Sequence, residues 1–138
     1  MWGKSALVTR FGSVFLGGAL GGMLRYLIEE LAVLNLQDSA AIWTYLFVVN
    51  LAGAFLLGMT ARHPFFDAAT CRYFWASGFA GGFTTMSAVT LLIADHGWNP
   101  LVWLMLVLGV VGYGLGYRLG QRSARAYLAN QAKSGAEA

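Results

Sequence analysis

Four long apolar blocks, each with the length of a membrane-spanning helix, account for most of the chain. They cover residues 11–31, 39–61, 73–94 and 96–117. Crossing about 30 Å of hydrocarbon takes about 20 helical residues, and only helices or closed barrels satisfy the backbone polar groups there. Charged residues make up 11% of the sequence, about half the fraction found in soluble domains. The sequence therefore predicts an all-α membrane protein with four transmembrane helices.

The placement of charge predicts how these helices are oriented. With four spans both termini lie on one side, and the loops on the opposite side contain Asp38 and Asp95 but no lysine or arginine. By the positive-inside rule both termini are cytoplasmic in a plasma-membrane protein. We expect residues 1–120 to form the transmembrane domain and residues 121–138 a polar, basic tail that extends the last helix and frays. Eight of the nine basic residues share the terminal side: Lys4, Arg10, Arg62, Arg72, Arg118, Arg122, Arg125 and Lys133.

The third block carries a signal for a break inside the helix. Two adjacent glycines, Gly81 and Gly82, are followed by Thr84, Thr85 and Ser87, a composition that disfavours a continuous helix. In hydrocarbon, a broken helix is tolerated only where the freed backbone groups are buried in protein or line a polar path. Half-helix ends and unwound carbonyls near the midplane form ion and substrate sites. The sequence predicts a third helix broken at mid-membrane, and this indicates ion passage.

A few polar side chains lie inside the other spans. Asn50, near the centre of the second span, either binds a neighbouring helix or directs its N–H groups at an anion path, and the sequence favours neither. Arg25, with Glu29 one turn away, suits a structural or vestibule position better than the centre of a pore. Tyr113 and Tyr117 lie one turn apart on the fourth span and predict a polar stripe there.

Few residues have the chemistry of an enzyme. Cys71 is the single cysteine, which excludes an internal disulfide and a cysteine-based metal cluster. His63 and His96 fall in predicted loops without a clustered carboxylate or nucleophile. The basic residues Arg118 and Arg122 are explained as charges that orient the chain in the bilayer. The sequence therefore predicts neither an enzyme nor a nucleic-acid-binding protein.

Three motifs, in order along the chain, resemble the Fluc (CrcB) fluoride channels. GGALGGMLRY at residues 17–26 resembles the glycine-rich first helix of that family, which ends in arginine. TYLFVVNLAGAFLLG at residues 44–58 resembles the second-helix motif with its asparagine and glycines. GFAGGFTTMS at residues 78–87 resembles the broken third helix. Chain length, span number and loop lengths also agree, so the resemblance covers nearly the whole sequence.

The resemblance implies a passive channel that lets accumulated cytoplasmic fluoride leave the cell. It implies an antiparallel dimer of oppositely inserted subunits in the lipid bilayer. It also implies a structural Na⁺ at the dimer centre, held by backbone carbonyls at the positions of Gly81 and Thr84. The family's asparagine corresponds to Asn50 and its arginine to Arg25. By position, the fluoride path would include Asn50, Thr85, Met86, Ser87, Val89, Tyr113 and Tyr117.

The chain departs from the family pattern just after the break. The family usually continues Thr-Thr-Phe-Ser-Thr-Phe, and the two aromatic rings, whose positive edges can meet an anion, line the fluoride path. Met86 and Val89 occupy those positions here, and Leu92 replaces a frequent glutamate. In one interpretation the path is degraded and a second subunit supplies the working elements. In the other, Tyr113 and Asn50, together with Tyr117, compensate and the homodimer conducts.

The charge bias favours the first of these interpretations. A homodimer of oppositely inserted copies needs nearly balanced charge across the membrane, whereas this chain concentrates its basic residues on one side. We therefore expect a hetero-dimer with an oppositely oriented homologue. Two alternative functions are a non-conducting assembly partner of such a channel and a small multidrug-type exchanger. The exchanger needs a membrane-embedded carboxylate, whereas every acidic residue here lies at a span end or in a loop.

Overall fold

All regular structure in the described part of the chain is helical. The computed structural model describes residues 4–35, 39–97 and 99–136. Within these residues it has four helical stretches that are long and apolar enough to cross a membrane. The predicted all-α fold with four spans is confirmed. The first, second and fourth spans are continuous helices: α1 (Lys4–Asn35), α2 (Ser39–Thr60) and α6 (Pro100–Ala136).

The third span is assembled from several helical pieces. A short 3₁₀ turn, Pro64–Phe66, precedes it. The largest pieces are a π-helical segment that ends at Ala80 and, beyond an extended break, a helix that begins at Met86. In chain order the pieces are α3 (Ala69–Arg72), the π-helical segment (Tyr73–Ala80), α4 (Gly81–Phe83) and α5 (Met86–His96).

The helices extend beyond the predicted spans, because backbone hydrogen bonding does not stop at the membrane surface. α1 already begins at Lys4, and α6 continues through the predicted polar tail as far as Ala136. The connection between α1 and α2 is correspondingly shorter than predicted. Asp38, one of the two acidic residues assigned to the far side, lies outside the described residues, as do residues 137 and 138.

Glycines allow α2 and α6 to pack with their backbones in close approach. A Cβ on Gly58 would collide with the carbonyl oxygen of Tyr113, and a Cβ on Gly116 would collide with that of Phe55. A Cβ on Gly120 would lie 3.0 Å from the nearest backbone atoms of α2 and the residues that follow it. Small residues at this spacing are what lets membrane helices approach closely. The pairing of α2 with α6 therefore depends on these positions.

α1 packs in the same way against the third span. Gly17 and Gly21 face the backbone carbonyls of Phe74 and Phe79 without room for a side chain. The contact is reciprocal, because a Cβ on Gly78 would lie 2.6 Å from the carbonyl oxygen of α1 residue Val14. Close backbone contacts at glycines therefore occur in both helix pairs.

Apolar side chains fill the space between the two helix pairs around the break. Phe83, the last residue of α4, is buried, and its ring stacks on Phe79 with 5.6 Å between the ring centroids. Leu92 on α5 belongs to the same cluster, so the position where the family often has glutamate is part of the core here. The other buried members come from α2: Tyr45, Leu46 and Val49.

Basic residues from three regions of the chain meet at one end of the bundle. The guanidinium of Arg10 on α1 lies 5.3 Å from the ring centroid of Tyr73. Arg72 forms an ion pair with Asp67 at 3.5 Å. Arg62, just after α2, contacts α6. The start of α1, the connection after α2 and the C-terminal part of α6 therefore share one end.

Candidate functional site

The third span is broken at Thr84 and Thr85. Both residues have extended backbones, with φ/ψ of −80°/157° and −142°/109°, whereas Gly81 remains helical at −65°/−40°. The predicted break is therefore confirmed, and within residues 81–85 its extended backbone lies at the two threonines. Threonine hydroxyls can replace helical hydrogen bonds. Thr84 Oγ1 donates to the carbonyl of Ala80 at 2.9 Å, and Thr85 Oγ1 accepts the N–H of Ala88 at 3.3 Å.

Asn50 holds the broken backbone from α2. Its Oδ1 accepts the N–H of Thr85 at 3.0 Å, and its Nδ2 lies 3.4 Å from the carbonyl oxygen of Thr85. The same Nδ2 donates to the carbonyl of Leu46 within α2 at 2.9 Å. In a continuous helix the Thr85 N–H would donate to the carbonyl of Gly81. The amide thus replaces a helical bond and leaves that carbonyl without its usual donor.

This geometry bears on the two interpretations of Asn50. Both of its amide hydrogens are directed at carbonyl oxygens, so the side chain serves as an interhelical link in this structure. The 3.4 Å contact to Thr85 is long for an N–H···O bond and is the one for which an anion could compete. A role as an anion ligand stays a prediction.

An open groove of about 470 Å³ runs beside the break, between α2, the third span and α6. Its lining is mostly apolar and includes small residues such as Gly53 and Gly109. The exposed backbone at Gly81 faces this space. The groove brings together six of the residues predicted for the path or the metal: Asn50, Gly81, Thr84, Met86, Val89 and Tyr113.

Met86 and Val89 are not equivalent, although the sequence assigns both to the path. Met86 has 60% of its surface exposed and extends beside the groove, whereas Val89 is 3% exposed and packs into the bundle. A large ring could therefore replace Met86 without displacing neighbours, whereas a ring at Val89 would need the core to open. We therefore expect phenylalanine to be accommodated at Met86 and to disturb the packing at Val89.

Three other predicted path residues, Thr85, Ser87 and Tyr117, lie off the groove lining. Thr85 is buried, and its hydroxyl is 3.2 Å from the hydroxyl of Ser87, which is itself exposed on α5. Both hydroxyls therefore lie in the N-terminal cap of α5, where Thr85 Oγ1 accepts the N–H of Ala88. Tyr117 lies one turn beyond Tyr113, where its hydroxyl accepts a hydrogen bond from Nε of Arg62 at 2.9 Å.

Arg25 lies in a polar cluster between α1 and α2. Its guanidinium is 3.8 Å from the carboxylate of Glu29, one turn further along α1. The same carboxylate accepts a hydrogen bond from the Tyr45 hydroxyl at 3.1 Å. Nε of Arg25 is buried and has no hydrogen-bond partner in the described part of the chain. The predicted pairing of Arg25 with Glu29 is present, and its vestibule role stays a prediction.

Sequence reasoning missed two side chains at these places. The sequence indicates only an orienting charge at Arg62, whereas in the structure Arg62 donates a hydrogen bond to Tyr117. The sequence indicates no role for Tyr45, whereas in the structure its hydroxyl donates to Glu29 and so links α2 to α1. The only sequence signal for either was a polar group near a span end, which is common for residues at a membrane interface.

Comparison with known proteins connects this site to a family. The family described as CrcB-like protein, Camphor Resistance (CrcB), matches residues 13–120. The chain belongs to the CrcB family. The match includes α2, the broken third span and the part of α6 that lines the groove, so the family resemblance seen in the three motifs is confirmed.

Curated relatives of this CrcB chain carry a functional name. A protein of Thermus thermophilus, named fluoride-specific ion channel FluC, is 40% identical over 80% of this chain and 94% of its own length. Proteins with the same name from Rhizobium meliloti and Leptospira interrogans are 40% and 36% identical over 72% and 83% of this chain, and over 82% and 88% of their own lengths. No solved structure matches significantly. The relatives are named as ion channels, which confirms the prediction that the chain is not an enzyme.

Proposed function

We propose that this CrcB chain is a subunit of a fluoride-specific ion channel in the plasma membrane, which passively exports cytoplasmic fluoride and so reduces its toxicity. The observation that carries the proposal is the break at Thr84 and Thr85, which Asn50 holds open beside the groove. The names of the relatives supply the ion. In this proposal Arg25 lies in a vestibule, and the path comprises Asn50, Thr85, Met86, Ser87, Val89, Tyr113 and Tyr117.

The proposed channel is a dimer of oppositely inserted subunits. The groove beside the break is open on one side, and a second subunit would cover it and complete the path. Arg10 of α1, Arg62 after α2 and Arg72 of α3 lie at one end of this chain, so the positive-inside rule favours one insertion direction with cytoplasmic termini. We therefore propose that the partner is a homologue of opposite orientation, not a second copy.

A structural Na⁺ at the dimer interface is part of the same proposal. Hard cations of this kind take oxygen ligands, and the Gly81 carbonyl has lost its usual helical donor because the Thr85 N–H donates to Asn50. Gly81 and Thr84 both border the open side of the groove. Their backbone carbonyls would hold the ion and so fix the two broken helices of the dimer relative to each other.

Removal of sodium is expected to lower the melting temperature of the purified dimer by several degrees, because an ion that binds only the assembled state stabilises it. The measurement is thermal unfolding in detergent with NaCl exchanged for N-methylglucamine chloride at equal ionic strength. The same replacement of sodium in the Gly81→Ala variant tests whether the ion site tolerates a side chain. The Cβ added by this substitution meets no atom within 4 Å. Equal melting temperatures with and without sodium would exclude the ion site.

Fluoride efflux from liposomes tests the channel and its composition together. We expect this chain alone to release fluoride no faster than empty liposomes. Coexpression and copurification with a CrcB homologue of opposite charge bias is expected to give efflux at least about a hundredfold above that background, since a channel removes the barrier to a hydrated ion. Chloride efflux from the same liposomes is the selectivity control.

The possible results separate the proposals. Efflux by this chain alone would refute the hetero-dimer and leave the channel function standing. A stable pair that releases fluoride only as slowly as its partner alone would refute the channel function and identify this chain as a non-conducting assembly subunit.

A further inference from the structure

The face of α6 that lines the groove continues toward the end of the bundle where the basic residues meet. Tyr113 borders the groove, and its ring stacks on Tyr117 with 6.4 Å between the centroids and 28° between the ring planes. Residues four apart are neighbours on one helix face. A row of two phenol rings therefore leads from the groove toward the membrane surface on the side of the termini.

Arg62 lies at the outer end of this row. Its Nε donates to the Tyr117 hydroxyl at 2.9 Å, and its guanidinium carbon lies 5.4 Å from the centroid of the same ring. A cation over an aromatic face within about 6 Å is attracted to the ring. These two contacts give a long, exposed side chain one defined position. The backbone contact of Gly120 with the residues that follow α2 keeps Arg62 and α6 together.

The charge of Arg62 is available to an anion. Two ion pairs in the described ranges join Arg25 to Glu29 and Arg72 to Asp67, and neither includes Arg62. A guanidinium has five N–H donors. Within the described ranges, Arg62 uses only its Nε donor in a hydrogen bond. The terminal nitrogens therefore combine an uncompensated positive charge with free donors, which suits a small hydrated anion.

We propose that Arg62 and Tyr117 form an anion-collecting mouth at the terminal end of the groove, where fluoride is concentrated before it enters the path. This inference rests on the proposed channel function. An exposed positive charge beside a narrow entrance raises the local concentration of anions and their rate of entry. The effect is screened over about 10 Å at 0.1 M ionic strength and over about 3 Å at 1 M, so its signature is a flux that depends on salt.

The test uses the fluoride-conducting assembly reconstituted in liposomes, with variants of this chain measured at two ionic strengths set by potassium gluconate. At about 0.02 M we expect Arg62→Gln to lower fluoride efflux about three- to fivefold, and Arg62→Glu to lower it further. At about 1 M the difference between Arg62→Gln and the unsubstituted channel is expected to fall within about 1.5-fold. Arg62→Lys keeps the charge and is expected to retain most of the flux at both ionic strengths.

Arg72→Gln is the matched control. It removes the same charge from the same end of the bundle, but Arg72 is paired with Asp67, whereas the arginine that contacts Tyr117 is Arg62. We expect its efflux to stay near that of the unsubstituted channel at low salt. Equal flux for Arg62→Gln and the unsubstituted channel at low salt, or a loss that salt does not reduce, would overturn the mouth while leaving the channel function intact. Absence of fluoride flux from every unsubstituted assembly would overturn both.

Discussion

Replacement of Asn50 by alanine is expected to lower fluoride efflux at least about a hundredfold in the conducting assembly. The N–H of Thr85 would lose its acceptor and the carbonyl of Leu46 its added donor, in a region where water cannot easily replace them. An unsatisfied buried polar group costs about 1–3 kcal/mol, so the extended conformation of the break would give way to other backbone arrangements. Efflux measured with a fluoride electrode gives the size of the loss.

A second measurement on Asn50 variants separates a structural link from an anion ligand. If the amide holds the break, amide hydrogen exchange in residues 84–88 should increase in Asn50→Ala even without fluoride. Asn50→Asp keeps an acceptor for Thr85 but loses both donors and adds a charge, so we expect it to protect the N–H and still block efflux. Unchanged exchange together with lost efflux would indicate that Asn50 acts on the ion alone.

Thr90→Ala is the matched control for Asn50. The Thr90 hydroxyl donates to the Ser87 carbonyl at 2.8 Å within α5, so its loss removes one local hydrogen bond of a polar side chain near the break. Thr90 is exposed and does not border the groove. We expect efflux to remain within about twofold of the unsubstituted assembly, because loss of an exposed bond of this kind costs about 1 kcal/mol or less. Near-normal efflux by Asn50→Ala would contradict the proposed role of the amide.

Replacement of Gly21 by alanine is expected to destabilise the protein by about 1–3 kcal/mol, and replacement by leucine to prevent its folding. A Cβ on Gly21 would collide with the carbonyl oxygen of Phe79 and lie 3.0 Å from the nitrogen of Phe83. Both are backbone atoms of the third span, so α1 would have to move away as a whole, and overpacking of this kind typically costs about 1–3 kcal/mol. Thermal unfolding in detergent, followed by tryptophan fluorescence, measures the change.

The adjacent glycine gives a matched control. A Cβ on Gly22 would lie 3.9 Å from its nearest neighbour, the carbonyl oxygen of Gly82, which is an ordinary van der Waals distance. Gly22→Ala places the same methyl group one residue further along α1 and gains up to about 1 kcal/mol of helix propensity. We expect its melting temperature to equal or exceed that of the unsubstituted protein. Equal melting temperatures for the two alanine variants would refute the close packing of α1 on the third span.

The sequence alone was sufficient for the four spans and the broken third helix. Unbroken apolar blocks of this length predict membrane-spanning helices directly. Glycine and threonine within one of these blocks predict a break, where the backbone polar groups need partners outside the helix. The exact position of the break was less accessible, because it depends on Asn50 reaching Thr85 across 35 positions of sequence. In the sequence the glycines and threonines of residues 81–85 all disfavour a helix, whereas in the structure the hydroxyls and this amide place the extended backbone at Thr84 and Thr85.

The different environments of Met86 and Val89 could not be predicted for a related reason. In soluble proteins an amphipathic pattern shows which face of a helix is buried, but α5 is apolar on most of its surface. Lipid and protein interior accept the same side chains, so residues three apart look alike in the sequence and differ in the structure by 60% against 3% exposure. The proposed role of Arg62 could not be predicted either. A basic residue at the end of a span looks the same in the sequence whether it orients the chain or attracts anions to the groove.

The length of α6 makes the relative orientation of two subunits measurable as a distance. The helix Pro100–Ala136 contains 37 residues, which corresponds to roughly 55 Å at about 1.5 Å per residue. Because the hydrocarbon is about 30 Å thick, the C-terminal part of this rod stands clear of the bilayer. In an antiparallel pair whose partner has a last helix of the same length, spin labels at the two C-terminal tips would be separated by roughly 80 Å, which is the hydrocarbon thickness plus the two protruding helix ends. In a parallel pair the rods would emerge side by side, so a single distance distribution distinguishes the two arrangements without any flux measurement.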